Sequence, residues 1–137
     1  MDHPRRLDEL VGLLEDRDVI LRERAAAAVA RLAESCPERL LRIVERMKAA
    51  LSDDSAYVRW HLAYVLGQIG ASFPNRAPRF LAELSARLDD ENRLVRLFAT
   101  KAIERIAGER PQVVVEAFRA AKREAPYSIA RHLPKQL

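Results

Sequence analysis

The 137-residue sequence is poor in cysteine, glycine and aromatic residues: one Cys, four Gly and 6% Phe, Trp and Tyr. A lone Cys36 excludes an internal disulfide and leads us to expect a reducing, cytoplasmic setting. Scarce aromatics beside abundant alanine and leucine argue for helices over strands. No apolar run approaches the ~20 residues of a membrane-spanning helix, and Met1-Asp2-His3-Pro4 begins no signal peptide. There is no Gly-rich phosphate loop and no nucleophile elbow. His3, His61 and His132 are scattered and none precedes a Glu, so no metal-ligand spacing is present and no metal or cofactor is expected. What is there is ordinary for a folded domain: 49% apolar and 32% charged residues, with a net charge of +4. That charge is carried almost wholly by arginine, because Lys48, Lys101, Lys122 and Lys135 are the only lysines. One domain with a core of its own fits this length.

The informative feature is a period. Shifting the chain by 37 residues (59 − 22 = 96 − 59 = 37) brings Leu21-Arg22, Val58-Arg59 and Val95-Arg96 into register. The same shift aligns Asp16, Asp53 and Asp90; Leu14, Leu51 and Leu88; and Pro37, Pro74 and Pro111, without a gap. Such self-similarity marks units that cannot bury their apolar faces alone and must stack on their copies.

Each unit reads as two helices. Asp18, Ser55 and Asn92 share a column of helix-capping residue types. Behind them run the stripes Leu21, Ala25, Ala28, Val29, Leu32; Val58, Leu62, Val65, Leu66, Ile69; and Val95, Ala99, Ala102, Ile103, Ile106, each forming one face at 100° per residue. Gly70 and Gly108 are expected to stop the first helices. The proline column opens the second helices, where the missing N–H costs nothing. Pro78 suggests a late start for the second helix of unit two, near Ala77. An N-terminal helix over Pro4–Leu14 reads as a shortened second helix, and Pro126–Leu133 as the start of a fourth first helix. The expected layout is a cap at 1–15, units at 16–52, 53–89 and 90–124, and a cap at 125–137.

Helix pairs that carry Asp, then a hydrophobe-Arg pair, then small residues resemble HEAT repeats. The residues bearing the likeness are Asp16 with Arg22, Asp53 with Arg59 and Asp90 with Arg96, followed by Ala25-Ala26, Ala63 and Ala99. The resemblance implies an all-α, right-handed α-α superhelix of about three and a half helix-pair units. It also implies that these six residues form a structural ladder between neighbouring units, in which largely exposed contacts are worth ~1 kcal/mol or less. HEAT-like di-iron enzymes use repeated His-Glu pairs, and this chain has none.

Two surfaces stand out as partner sites. Arg39, Arg42, Arg46, Arg76 and Arg79 lie opposite the apolar stripe of the second helices, a side that the resemblance makes concave. Glu38, Glu45 and Glu83 are interspersed, so the bland alternative is a solvated charged face. Trp60 and Leu97 share the outermost column of the first helices, with Tyr64 one turn beyond Trp60 and Phe98 on the flank; the alternative is that these cover one another. His61, between the stripes, reads as an ordinary flank residue, and Cys36 as a bystander thiol. The expected function is a non-enzymatic protein-binding scaffold whose partner is another protein, possibly through an acidic segment. The alternative is nucleic-acid binding through the arginine ridge, and a lyase or chaperone subunit is a third reading.

Overall fold

The computed structural model describes residues 4–135, and it is all-helical with no strand among them. His3 and the outermost residues of both expected caps lie outside that range. Three 17-residue helices, α2 (Val19–Ser35), α4 (Ala56–Ser72) and α6 (Arg93–Glu109), start 37 residues apart and form one layer. A second layer holds α1 (Pro4–Leu14), α3 (Val44–Ala49), α5 (Leu81–Ala86) and α7 (Pro111–Ala120), and a four-residue α8 (Tyr127–Ala130) closes against α6. The whole is an α-solenoid.

Local chemistry sets the helix starts. Asp18 accepts from the Ile20 amide, Ser55 from Val58, and Asn92 from both Leu94 and Val95, which satisfies donors that would otherwise lack partners. Two residues upstream of each cap, Asp16, Asp53 and Asp90 accept the amides of Asp18, Ser55 and Asn92 at 2.8, 2.8 and 2.9 Å. These Asx turns re-create the same entry angle in every unit.

α4 lies between α2 and α6. Ten of its 17 residues are buried, against four in α2, so α4 is the helix on which both neighbours depend. Beneath it the core is filled from both layers, by Leu62, Leu66 and Ile69 above and Leu40, Met47, Phe80 and Leu84 below.

The structure corrects several details. Gly70 does not end a helix, because α4 continues to Ser72 and α6 to Glu109, and no glycine has a positive φ. Gly70 instead makes room: a Cβ there would sit 2.6 Å from Ile106 Cδ1. The second helices of units one and two are divided. Each opens as a 3-10 segment, Pro37–Ile43 and Pro74–Arg79, before its short α-helix. In unit two the 3-10 turn starts at Pro74 and the α portion at Leu81, 37 residues after Val44 of unit one, so the division is common to both units and Pro78 does not set it as the sequence suggested. The expected fourth first helix is helical only over Tyr127–Ala130.

Candidate interaction surfaces

The two layers bring the singled-out residues onto three distinct surfaces. At the interunit loops, Arg22 Nε donates to Asp53 Oδ2 at 2.9 Å, and Arg59 donates from Nε and Nη2 to both Asp90 oxygens at 2.9 and 3.0 Å. Each arginine also turns Nη1 back onto its own loop: Arg22 on the Asp16 and Arg17 carbonyls, Arg59 on Asp53 and Asp54, Arg96 on Asp90 and Glu91. One carboxylate thus holds its own loop and the arginine of the preceding unit. The Arg59–Asp90 pair is buried, its side chains 9% and 2% exposed, so the small value for a largely exposed contact does not apply to it. Burial pushes the Asp90 carboxyl up, but the Arg59 hydrogen bond, the Asn92 amide and the Arg59 and Arg87 charges outweigh it and hold the group below the usual carboxylate range. Arg96 ends the series, because the next position in the aspartate column is Tyr127.

The second surface is the arginine ridge. Arg42 meets Asp8 at 3.0 Å, Arg46 meets Glu15 at 3.5 Å, and Lys48 lies between Glu45 and Glu83 at 3.0 and 3.8 Å. Unit one is therefore largely neutralised, and Arg39 also has a partner. Arg76 and Arg79 make no ion pair among the described residues. On the same side of the chain, α5 and α7 enclose a largely apolar cleft of about 390 Å³ lined by Pro78, Leu81, Ala82, Val113, Ala117 and Ala120, with Glu116 as its one carboxylate.

The third surface is aromatic. The Trp60 ring stacks on Phe98 of α6 at 4.7 Å between centroids and on His61 at 3.7 Å, and Tyr57 meets it edge-on at 5.7 Å. Tyr64 approaches Phe98 edge-on and donates its hydroxyl to Glu34 of α2 at 2.8 Å. Trp60 is consequently half-buried. The exposed apolar side chains lie one turn earlier, in the column Ile20, Tyr57 and Leu94, with exposures of 52, 41 and 46%, and Leu97 beside them at 44%. The 37-residue arithmetic contains that column, but the apolar stripes drew attention away from it.

His61 is buried, contrary to its reading as a flank residue. Its Nδ1–H donates to the Tyr57 carbonyl at 2.8 Å. Burial lowers its pKa, and the Tyr57 hydrogen bond and the Glu23 charge recover only part of that shift. Below the unfolded histidine value of about 6.5 the unfolded chain binds a proton that the folded chain refuses, so stability falls as pH drops from ~6.5 towards the lowered folded value. The melting temperature is expected to decrease between about pH 7.5 and about pH 5.5, and a His61→Gln variant should lose that part of the slope. An equal slope in the variant would remove His61 as its source.

No group of His, Cys, Asp and Glu among the described residues is placed to hold a metal ion, and no described helix is long and apolar enough to cross a membrane. Residues 19–69 match the family model described as HEAT-like repeat. No curated protein matches the sequence. A designed armadillo repeat protein in complex with the peptide (KR)4 superposes with a TM-score of 0.68 at 22% identity, covering 90% of this chain and 59% of that one. Computationally designed armadillo repeat proteins for modular peptide recognition give 0.66 at 24% identity, with 90% and 59% covered. A further engineered protein gives 0.68 at 20% identity, with 96% and 60% covered. The chain thus spans about three-fifths of the length of the structures it matches. The superposition shows that the chain has the α-solenoid fold of armadillo-type repeat structures, and residues 19–69 are similar to HEAT-like repeats.

Proposed function

We propose that this chain is a non-catalytic scaffold that binds a peptide segment of another protein along its second-helix side, at the α5–α7 cleft. The observation that carries the reading is the largely apolar 390 Å³ cleft, whose wall residue Pro78 lies between Arg76 and Arg79 in the chain and whose one lining carboxylate is Glu116; those are the two ridge arginines without an ion pair among the described residues. An apolar side chain fits the cleft, and a carboxylate on the same segment is matched to the guanidinium groups, whose planar fork suits bidentate contact. Designed armadillo proteins of the same fold are described in complex with a peptide or as made for peptide recognition, which supports a peptide as the kind of partner.

An extended, fluorescein-labelled Glu-Leu repeat peptide is expected to bind the chain with an anisotropy change that saturates. Arg76→Glu with Arg79→Glu should weaken it by about tenfold or more, as loss of two charge-assisted contacts predicts. Unchanged affinity in that double variant would dismiss this face. Tighter, steeply salt-dependent binding of duplex DNA would instead favour phosphate recognition.

A further inference from the structure

The outer face of the α2–α4–α6 layer, opposite its buried stripes, carries two parallel belts. The first is apolar. Ile20, Tyr57 and Leu94 stand at the same height on the three first helices and are 52, 41 and 46% exposed. One helical turn further on, Leu97 is exposed and Trp60 half-buried. Neighbouring helix axes lie ~8–10 Å apart, so the belt repeats at about that interval along the array. The second belt is basic. Arg24 and Arg31 of α2 follow Ile20 at i+4 and i+11, and Lys101 and Arg105 of α6 follow Leu94 at i+7 and i+11, spacings that keep all four on the same face. All four are exposed, and none forms an ion pair among the described residues.

Two carboxylates share that face with the four cations, and both are engaged: Glu23 accepts from the Ser55 hydroxyl at 2.7 Å and Glu34 from the Tyr64 hydroxyl at 2.8 Å. Glu104 stands in the column of the buried Gly67, on the flank. On the loop side of the apolar belt the exposed charges cancel, Arg17, Arg93 and Arg96 against Asp18, Asp54 and Glu91. Negative charge on a partner is therefore favoured along one edge of the apolar belt only.

Spacing decides the shape of the occupant. A β-strand repeats on one face every ~7 Å, which does not match the belt. A polyproline II segment repeats every ~9 Å but fills a single row, leaving Trp60 and Leu97 uncovered. An α-helix laid across the array sets successive heptads ~10.5 Å apart, and its residues three or four apart give a second row ~5–6 Å away, so it covers both rows. A second copy of the chain fits less well. The four exposed side chains of the belt offer roughly 400 Å² of apolar surface, about half of the ~800 Å² per partner in a stable dimer.

We propose that this face docks an amphipathic helix of a partner protein, laid across α2, α4 and α6. Its apolar stripe rests on Ile20, Tyr57, Leu94 and Leu97, and carboxylates line the edge that faces Arg24 and Lys101. The site lies on the opposite layer from the α5–α7 cleft and does not depend on it.

Trp60 is the only tryptophan of the chain, so its emission reports on this face alone. The probe is a lactam-bridged helix of about 21 residues, three heptads, with leucine at a and d and glutamate along one edge. Its twin carries lysine in place of glutamate, and both are labelled and kept at trace concentration for anisotropy. With the full chain, the glutamate helix is expected to bind at least about tenfold more tightly than the twin, a difference of about one charge-assisted contact, and to change Trp60 emission saturably. Arg24→Glu with Lys101→Glu, both at exposed positions and checked by circular dichroism, should reverse that preference. Ile20→Ser with Leu97→Ser should weaken both helices by about tenfold or more, whereas Arg76→Glu with Arg79→Glu should change neither. Absence of saturable binding, or a preference indifferent to the Arg24/Lys101 reversal, overturns the proposal. So does a concentration-dependent dimer in sedimentation that Ile20→Ser with Leu97→Ser abolishes, because the face would then belong to a second copy. Binding to phosphatidylserine vesicles in place of the helix would overturn it too.

Discussion

Asp90→Ala is expected to cost about 3–5 kcal/mol of folding free energy, the range for removing one partner of a buried ion pair. Arg59 would be left with its guanidinium in a site where the side chain is 9% exposed, and the remaining Asp53 and Asp54 carbonyls satisfy only Nη1. The Asn92 amide would lose its turn acceptor and Arg87 its 3.0 Å contact as well. For a chain of this size the loss corresponds to a drop in melting temperature on the order of 10 °C or more. Asp89→Ala supplies the internal standard. Asp89 binds Arg123 at 2.9 Å, but its side chain is 72% exposed, so its removal should shift the unfolding midpoint far less than Asp90→Ala does. Comparable losses in the two variants would mean that the ladder does not hold the units together. Because the folded Asp90 pKa lies below its unfolded value, the contribution is complete above about pH 4 and disappears as pH falls through the folded pKa. Urea midpoints measured on both variants at neutral pH and in acid should therefore converge towards the acid end.

Gly67→Val is expected to lose about 3 kcal/mol or more, the upper part of the range for overpacked cores. A Cβ at Gly67 would lie 2.6 Å from Ala102 Cβ and 2.7 Å from Ala102 Cα. The second atom is backbone, so relief requires α6 to move away from α4, and with it the contacts of Ile103 and Ile106 that close the core. Even Gly67→Ala should be destabilising, by about 1–3 kcal/mol, although alanine is favoured over glycine within a helix by ~1 kcal/mol. Gly108→Ala tests the balance directly. It also lies in a 17-residue first helix, but nothing stands within 4 Å of its added Cβ, so the propensity gain should appear unopposed. Opposite signs for one substitution at two helical glycines would place the cause in the α4–α6 approach. A Gly67→Ala variant as stable as Gly108→Ala would refute that.

Much of this molecule could be read without coordinates. The 37-residue period, the Asp18/Ser55/Asn92 capping column, the apolar stripes and the prolines that open the second helices are all one-dimensional patterns, and each acts within a turn or two of where it is written. The misreadings have a common origin. Gly70 carries the residue type of a helix stop, yet a glycine serves equally where a neighbouring helix comes close, and only the position of Ile106 distinguishes the two. His61 lies off the apolar stripe of α4, but α4 is flanked on both sides, so its off-stripe positions are buried too. Trp60 was read as part of an outer patch or as covered by its neighbours, and only the structure shows it stacked on Phe98 of α6.

The same division applies to the candidate surfaces. The arginines of the ridge were legible as a column, but their neutralisation in unit one was not, because Asp8 and Glu15 reach Arg42 and Arg46 from the preceding second helix. The exposed column of Ile20, Tyr57 and Leu94 and the cleft beside α7 were not anticipated either. By itself the sequence determined that the chain is a tiled array of helix pairs, where each first helix begins and which face it buries, because capping and amphipathic periodicity are local free energies. Tertiary structure alone decided which arginines remain unpaired, which rings stack and where a cleft stays open. Those outcomes depend on the angle and distance at which one unit settles on the next, and the chain specifies these only through the summed packing of residues far apart along it.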